Sequence, residues 1–138
     1  MTNISETNSS NVKEGTFAEA ILNTYGPLNS IDKFKEKYAD KSFKILLNPK
    51  DGQYAALITV DSGILTVNGI HNQDKKKLDQ KELGWDGFMQ TTLALFDEIG
   101  EGNLSQSDIV KKVVARKIKM KNIKMVAKLS EMSALLED

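Results

Sequence analysis

Between Thr16 and Leu136 the spacing of apolar residues changes period several times, and each change predicts a different element. Thr16-Phe17-Ala18-Glu19 is a capping box, in which a threonine oxygen and a glutamate three residues on satisfy the first free N–H groups of a helix. It predicts a short helix to about Tyr25, with Phe17, Ala20, Ile21 and Leu22 as its apolar side, ended by Gly26-Pro27. A second helix is expected from about Ser30 to Ala39, with Ile31, Phe34 and Tyr38 at helical spacing. The period then shortens. Phe43–Leu47, Tyr54–Val60 and Ile64–Ile70 are rich in β-branched and aromatic residues and predict three strands. Asn48-Pro49-Lys50-Asp51-Gly52 and Asp61-Ser62-Gly63 are turn-forming separators short enough to force antiparallel neighbours, hence a meander.

From His71 to Glu82 the chain is polar apart from Leu78, which reads as a loop, an exposed helical turn or a weak edge strand. Helical spacing returns after Gly84 and predicts a helix over 88–99, with Phe88, Thr92, Leu95, Phe96 and Ile99 in one stripe and Trp85 at its start. Gly100 and Gly102 stop it, and Ser105-Gln106-Ser107-Asp108 opens another helix carrying Ile109, Val110, Val113 and Val114. Lys117-Ile118-Lys119-Met120-Lys121 alternates strictly, as a half-buried strand does, with Ile118 and Met120 inward. A last helix places Met125, Val126, Leu129, Met132 and Leu136 on one face. Consecutive strands flanked by helices argue an α+β fold: a mostly antiparallel sheet with helices over one face. Residues 1–14, rich in Ser, Asn, Thr and Glu, are expected to be a flexible tail before a single domain over 15–138.

Composition narrows the chemistry. The 138 residues contain no cysteine and one histidine, so disulfides, thiolate zinc sites, cysteine nucleophiles and multi-histidine metal sites are excluded. No apolar run is long enough to span a bilayer, and the polar start has no apolar signal core, so a cytoplasmic location is expected. Gly100-Glu101-Gly102 follows a helix rather than a strand and lacks a third glycine, which argues against a dinucleotide loop. His71, with Asp74 nearby, has no matched nucleophile, and Asp79 and Glu82 sit in a polar linker. These residues predict no catalytic centre.

The formal net charge is zero but is unevenly placed. Residues 1–110 hold 11 lysines against 16 carboxylates, and 129–138 hold three carboxylates. The stretch 111–128 has eight cations and no acid. Such a block is either a solvated face or a contact for an anionic surface. Its lack of aromatic residues argues against stacking on nucleic acid. Lys117, Lys119 and Lys121 would point outward together from the alternating strand, as a candidate contact for an anionic membrane.

Apolar residues exceed what packing of the C-terminal half requires, and four of the five methionines, Met89, Met120, Met125 and Met132, lie there. Methionine suits surfaces that repack around varied apolar guests, and it equally suits a soft core.

Gly102-Asn103-Leu104-Ser105 with its short helix, the basic strand Arg116–Asn122 and the helix from Ile123 to Leu136 resemble the end of the sterol carrier protein 2 (SCP2-like) family. The meander and the helix before it also fall in that family's order. Two positions depart from the pattern: Arg116 and Asn122 stand where family members carry glycine. The family's fourth strand would fall near 75–82. The resemblance implies a five-stranded mixed sheet and an apolar tunnel for a sterol, fatty acid, acyl-CoA or phospholipid. It implies no catalysis and no cofactor. A monomer that binds no nucleic acid is the accompanying expectation from the chain itself. Carried onto this chain, the tunnel would be lined by Phe88, Leu95, Phe96, Ile99, Val113, Met120, Met125, Leu129 and Met132, with the last helix as lid. The competing expectation is a protein-interaction module that works through the basic segment 111–128, with no lipid ligand.

Overall fold

The computed structural model describes residues 10–72, 78, 80–100 and 106–136. The tail 1–9, Asp74, Asp79, Gly102 and the Ser105 cap lie outside the described residues.

The chain opens with α1 (Phe17–Tyr25), where the predicted capping box forms. The Glu19 backbone N–H donates to Thr16 Oγ1 at 3.4 Å, and Glu19 Oε1 accepts from the Gly15 N–H at 3.1 Å. Gly26-Pro27 does not break the helix off but tightens it into a 3₁₀ turn, Gly26–Ser30, leading to α2 (Asp32–Lys37). The meander follows as β1 (Ser42–Pro49), β2 (Tyr54–Asp61) and β3 (Ile64–His71), paired antiparallel in sequence. Ser62 and Gly63 join β2 to β3 with φ of 53° and 80°, the two positive values that a tight right-twisting hairpin loop requires. Any Cβ on Gly63 would come within 2.8 Å of the Lys35 carbonyl oxygen, so α2 can approach that turn only because it is glycine.

The expected fourth strand near 75–82 is instead, where described, the short α3 (Gln80–Leu83). The fourth strand is β4 (Gly87–Thr91), inside the segment expected to begin a helix over 88–99; the helix itself is α4 (Leu93–Gly100). β4 runs parallel to β1 and antiparallel to β5 (Lys119–Lys121), giving the sheet order β3-β2-β1-β4-β5. Both faces of this strand are covered, so Phe88 and Met89 are both core residues and no polar alternation betrays the strand. After α5 (Gln106–Val114) and β5, the final helix is two pieces, α6 (Ile123–Val126) and α7 (Lys128–Leu136), separated by a turn at Ala127.

The two faces bury different cores. Phe43, Ile45, Leu47, Ala56, Ile58, Val60, Leu65, Val67 and Met89 point toward the side that α1, α2, α4, α6 and α7 cover. Leu46, Ala55, Leu57 and Phe88 point the other way, under Leu78, Leu83 and Trp85 from the segment that returns from β3 to β4. This is one five-stranded mixed sheet in an α+β fold. Within the stretch 1–14 expected as a tail, Asn11 forms a parallel bridge to Asn68 on the outer edge of β3, and Val12 packs on the core.

Both departures from the family's glycine pattern hold left-handed backbone, Arg116 at φ 64° and Asn122 at φ 58°. At Arg116 the reason is visible. The Lys117 N–H donates to the Lys112 carbonyl (2.8 Å) and the Arg116 N–H to that of Val113 (3.0 Å). That pair of bonds closes α5 in a Schellman motif, whose left-handed residue is usually glycine. Asn122 adds a bond, its Nδ2 donating to the Asp86 carbonyl at 2.9 Å. A non-glycine residue held left-handed costs about 1–2 kcal/mol, partly offset by the looser unfolded chain of glycine. Arg116→Gly is therefore expected to raise stability by about 0.5–1 kcal/mol in urea melts, and Arg116→Ala to give no gain.

Candidate functional site

The helix-covered side carries nearly all of the apolar residues singled out from the sequence. α4 supplies Leu95, Phe96 and Ile99, α5 supplies Val113, β5 supplies Met120, and α6 and α7 supply Met125, Leu129 and Met132. These eight belong to one cluster. Phe96 and Met132 are buried in it; the other six are only partly buried. Phe88 is not among them. It lies on β4 with its side chain on the opposite face, its ring centroid 5.2 Å from that of Trp85. A residue one place along a strand changes faces, so reading 88–91 as helix put Phe88 on the wrong side of the sheet.

The alternation of the basic strand is as expected. Ile118 is buried and Met120 half-buried, while Lys117, Lys119 and Lys121 are exposed. Phe88 pairs across with Lys121, and Lys121 Nζ stands 5.8 Å from the Trp85 ring centroid, so this lysine borders the second core. Met89 pairs with Met120, which brings two of the four methionines together on the helix side. Thr91, fully buried at the end of β4, donates its hydroxyl to the Lys117 carbonyl at 2.8 Å and pins the entry of β5.

α6 sits very close to the sheet. A Cβ on Gly87 would come within 2.9 Å of Met125, so this glycine admits the methionine over β4. α7 is tied to α2 by an exposed Lys37–Glu131 ion pair at 3.5 Å. Beneath it lies Tyr38, 2% exposed, its ring against Phe34 and Phe43 and its hydroxyl without a hydrogen-bond partner. On the second face Asn48, also buried, has an unpartnered Oδ1. The sequence offered no signal for either, since both positions sit in patterns that read as ordinary. Among the described residues no group of acidic or histidine side chains could hold a metal ion, and no helix is long and apolar enough to cross a membrane.

No protein-family model and no curated protein matches the sequence. Solved structures do match. UbiJ-SCP2, described as a ubiquinone synthesis protein, aligns over 85% of this chain and 90% of its own, with a TM-score of 0.52 at 12% identity. The fold is SCP2-like. The sec-alkylsulfatase Pisa1 from Pseudomonas sp. aligns over 80% of this chain with a TM-score of 0.52 at 18% identity, and a double mutant of PisA1 over 76% with the same score and identity. This chain spans 15% and 14% of those two much longer chains. In the SCP2-like frame the fourth strand is β4, and the helix-covered side of the sheet is the one that carries the eight clustered residues.

Burial raises the pKa of Tyr38, helped by the negative charge of Glu131. Burial also raises Tyr25, an effect opposed by its hydrogen bond with Ser133. A tyrosine raised in the folded state stabilises it below the unfolded value of about 10, and that stability is lost as pH climbs above it. Stability is therefore expected to fall above about pH 10. Tyr38→Phe is expected to blunt that fall and, because it removes an orphan hydroxyl, to cost nothing at neutral pH. Thermal melts across the alkaline range check both expectations.

Proposed function

We propose that this chain binds a lipid-like molecule on the helix-covered side of its sheet and carries it without chemical change. The ligand classes are a sterol, a fatty acid, an acyl-CoA or a phospholipid. The observation that carries the reading is the group of eight apolar residues from α4, α5, β5, α6 and α7, six of them only partly buried. Apolar side chains left half-exposed on one side of a domain are what an apolar guest can cover. The likeness to UbiJ-SCP2 supports the lipid-binding reading.

Binding of this kind needs no polar recognition. A chain of 16 carbons offers roughly 12 kcal/mol gross at about 0.8 kcal/mol per methylene. Association and ordering take several of these, and a micromolar complex needs only about 8 kcal/mol. Specificity is then loose, and Met120, Met125 and Met132 adapt the wall to guests of different shape. The reading includes neither a cofactor nor a catalytic residue. Lys117, Lys119 and Lys121 would meet an anionic membrane during loading and release, each worth about 1 kcal/mol close to the surface.

Native mass spectrometry of protein purified from cells is expected to show co-purifying lipid, and the delipidated chain to take up oleate at micromolar concentration. Leu129→Asp places a carboxylate on the half-buried face of α7 and is expected to weaken that uptake at least about tenfold. A variant that is well folded by circular dichroism and binds undiminished would sink the reading. Trp85 packs in the second core, so its fluorescence is expected to stay nearly constant while ligand binds. Calorimetry, not intrinsic fluorescence, is the suitable assay.

A further inference from the structure

Among the described residues the two most exposed large apolar side chains are Val114, 78% exposed, and Ile123, 60%. Val114 ends α5 and Ile123 begins α6, so the two flank β5 along the chain. Lys111, Arg116, Lys117, Lys119, Lys121 and Lys124 are exposed in the same stretch. No carboxylate occurs from 111 to 128. β5 is also an outer strand of the sheet, paired on one side only.

One exposed aliphatic residue is ordinary, but two within a stretch of chain that carries cations and no acid form a pattern with a definite complement. Phosphate alone would satisfy the cations and leave Val114 and Ile123 in water. An apolar protein surface would cover the two aliphatics and desolvate the cations at a cost. A bilayer with anionic lipids accepts both: headgroups meet the lysines, and short apolar tips enter the boundary with the acyl chains.

We propose that the β5 edge is a bilayer-docking surface in which Val114 and Ile123 insert at the headgroup boundary while the surrounding cations hold anionic lipid headgroups. The proposal rests on the lipid-carrier reading and adds to it an apolar anchor and a direction of approach. Val113 neighbours Val114, Met125 is two residues beyond Ile123, and Met120 lies on β5 itself. Three of the eight candidate ligand residues therefore sit in the docking segment, and a guest would leave the bilayer beside the face that receives it.

Flotation of the full chain with vesicles tests this, using phosphatidylcholine alone and phosphatidylcholine with about a third phosphatidylserine. The chain is expected to float with the anionic vesicles and not with the neutral ones. Val114→Ser with Ile123→Ser keeps every cation and alters only exposed positions, so the fold is retained by circular dichroism. This double variant is expected to lose about tenfold in vesicle affinity, a loss that added salt does not reproduce in the unaltered chain's apolar component. Lys117→Gln, Lys119→Gln and Lys121→Gln together are expected to remove the salt-sensitive component. A double serine variant that floats like the unaltered chain overturns the proposal, as does a chain that ignores vesicles and binds duplex DNA or RNA. The two readings fail separately. A chain that docks on vesicles but purifies without lipid and takes up no oleate overturns the carrier reading alone; one that carries lipid yet never floats overturns only the docking surface.

Discussion

Parallel pairing of β4 on β1, from Ile45 opposite Gly87 to Pro49 opposite Thr91, is the constraint on which the remaining architecture depends. β3 runs in the same direction as β1, since each is antiparallel to β2. The chain leaving β3 must therefore travel back along the sheet before β4 can start, because parallel strands cannot be joined by a tight turn. That return lays Leu78, Leu83 and Trp85 over Leu46, Leu57 and Phe88 and so builds the second core. β4 then seats β5, and β5 positions the helices on its two sides. A slip of one residue in β4 would exchange Phe88 with Met89 and spoil both cores at once.

Much of this was legible. The meander follows from β-branched and aromatic runs bounded by turn residues, the first capping box from its residue types, and the alternation of 117–121 and the apolar face of the last helix from one-sided burial. Two features were hidden, each for its own reason. Phe88, Met89 and Thr91 are buried on a strand covered on both faces, so no alternation of apolar and polar residues marks it. Joined to Leu95, Phe96 and Ile99 of the following helix, they imitate one longer helical stripe. Leu78 and Trp85 were hidden because each stands nearly alone among polar residues, and only the return path from β3 brings them together. Of the nine apolar candidates, the eight on helices and on the alternating strand fall in one cluster, and Phe88, read with the wrong period, lies on the other face.

An SCP2-like fold at 12% identity is easier to understand at the level of backbone angles than of residue names. Arg116 and Asn122, where the resemblance leads one to expect glycine, both hold a left-handed conformation. The Schellman bonds at the end of α5 and the Asn122 bond to Asp86 supply locally what glycine supplies by having no side chain. Asp86 extends the same support to β1, exchanging backbone and side-chain bonds with Lys44 at 2.7 and 2.8 Å.

The two margins of the sheet are finished in different ways. Along β3 the chain's own early residues close the edge: the Val67 N–H donates to Ser10 Oγ, the Asn11 N–H to the Val67 carbonyl, and the Gly69 N–H to the Asn11 carbonyl. At the opposite margin β5 is only three residues long and carries Lys119 and Lys121. An unpaired strand edge invites other chains to add strands to it, and short length with repelling charge is a common deterrent. One margin is thus sealed by hydrogen bonds and the other guarded by like charge. Resistance to strand-by-strand aggregation at the guarded margin therefore depends on ionic strength, whereas at the sealed margin it depends on Ser10 and Asn11 staying in place.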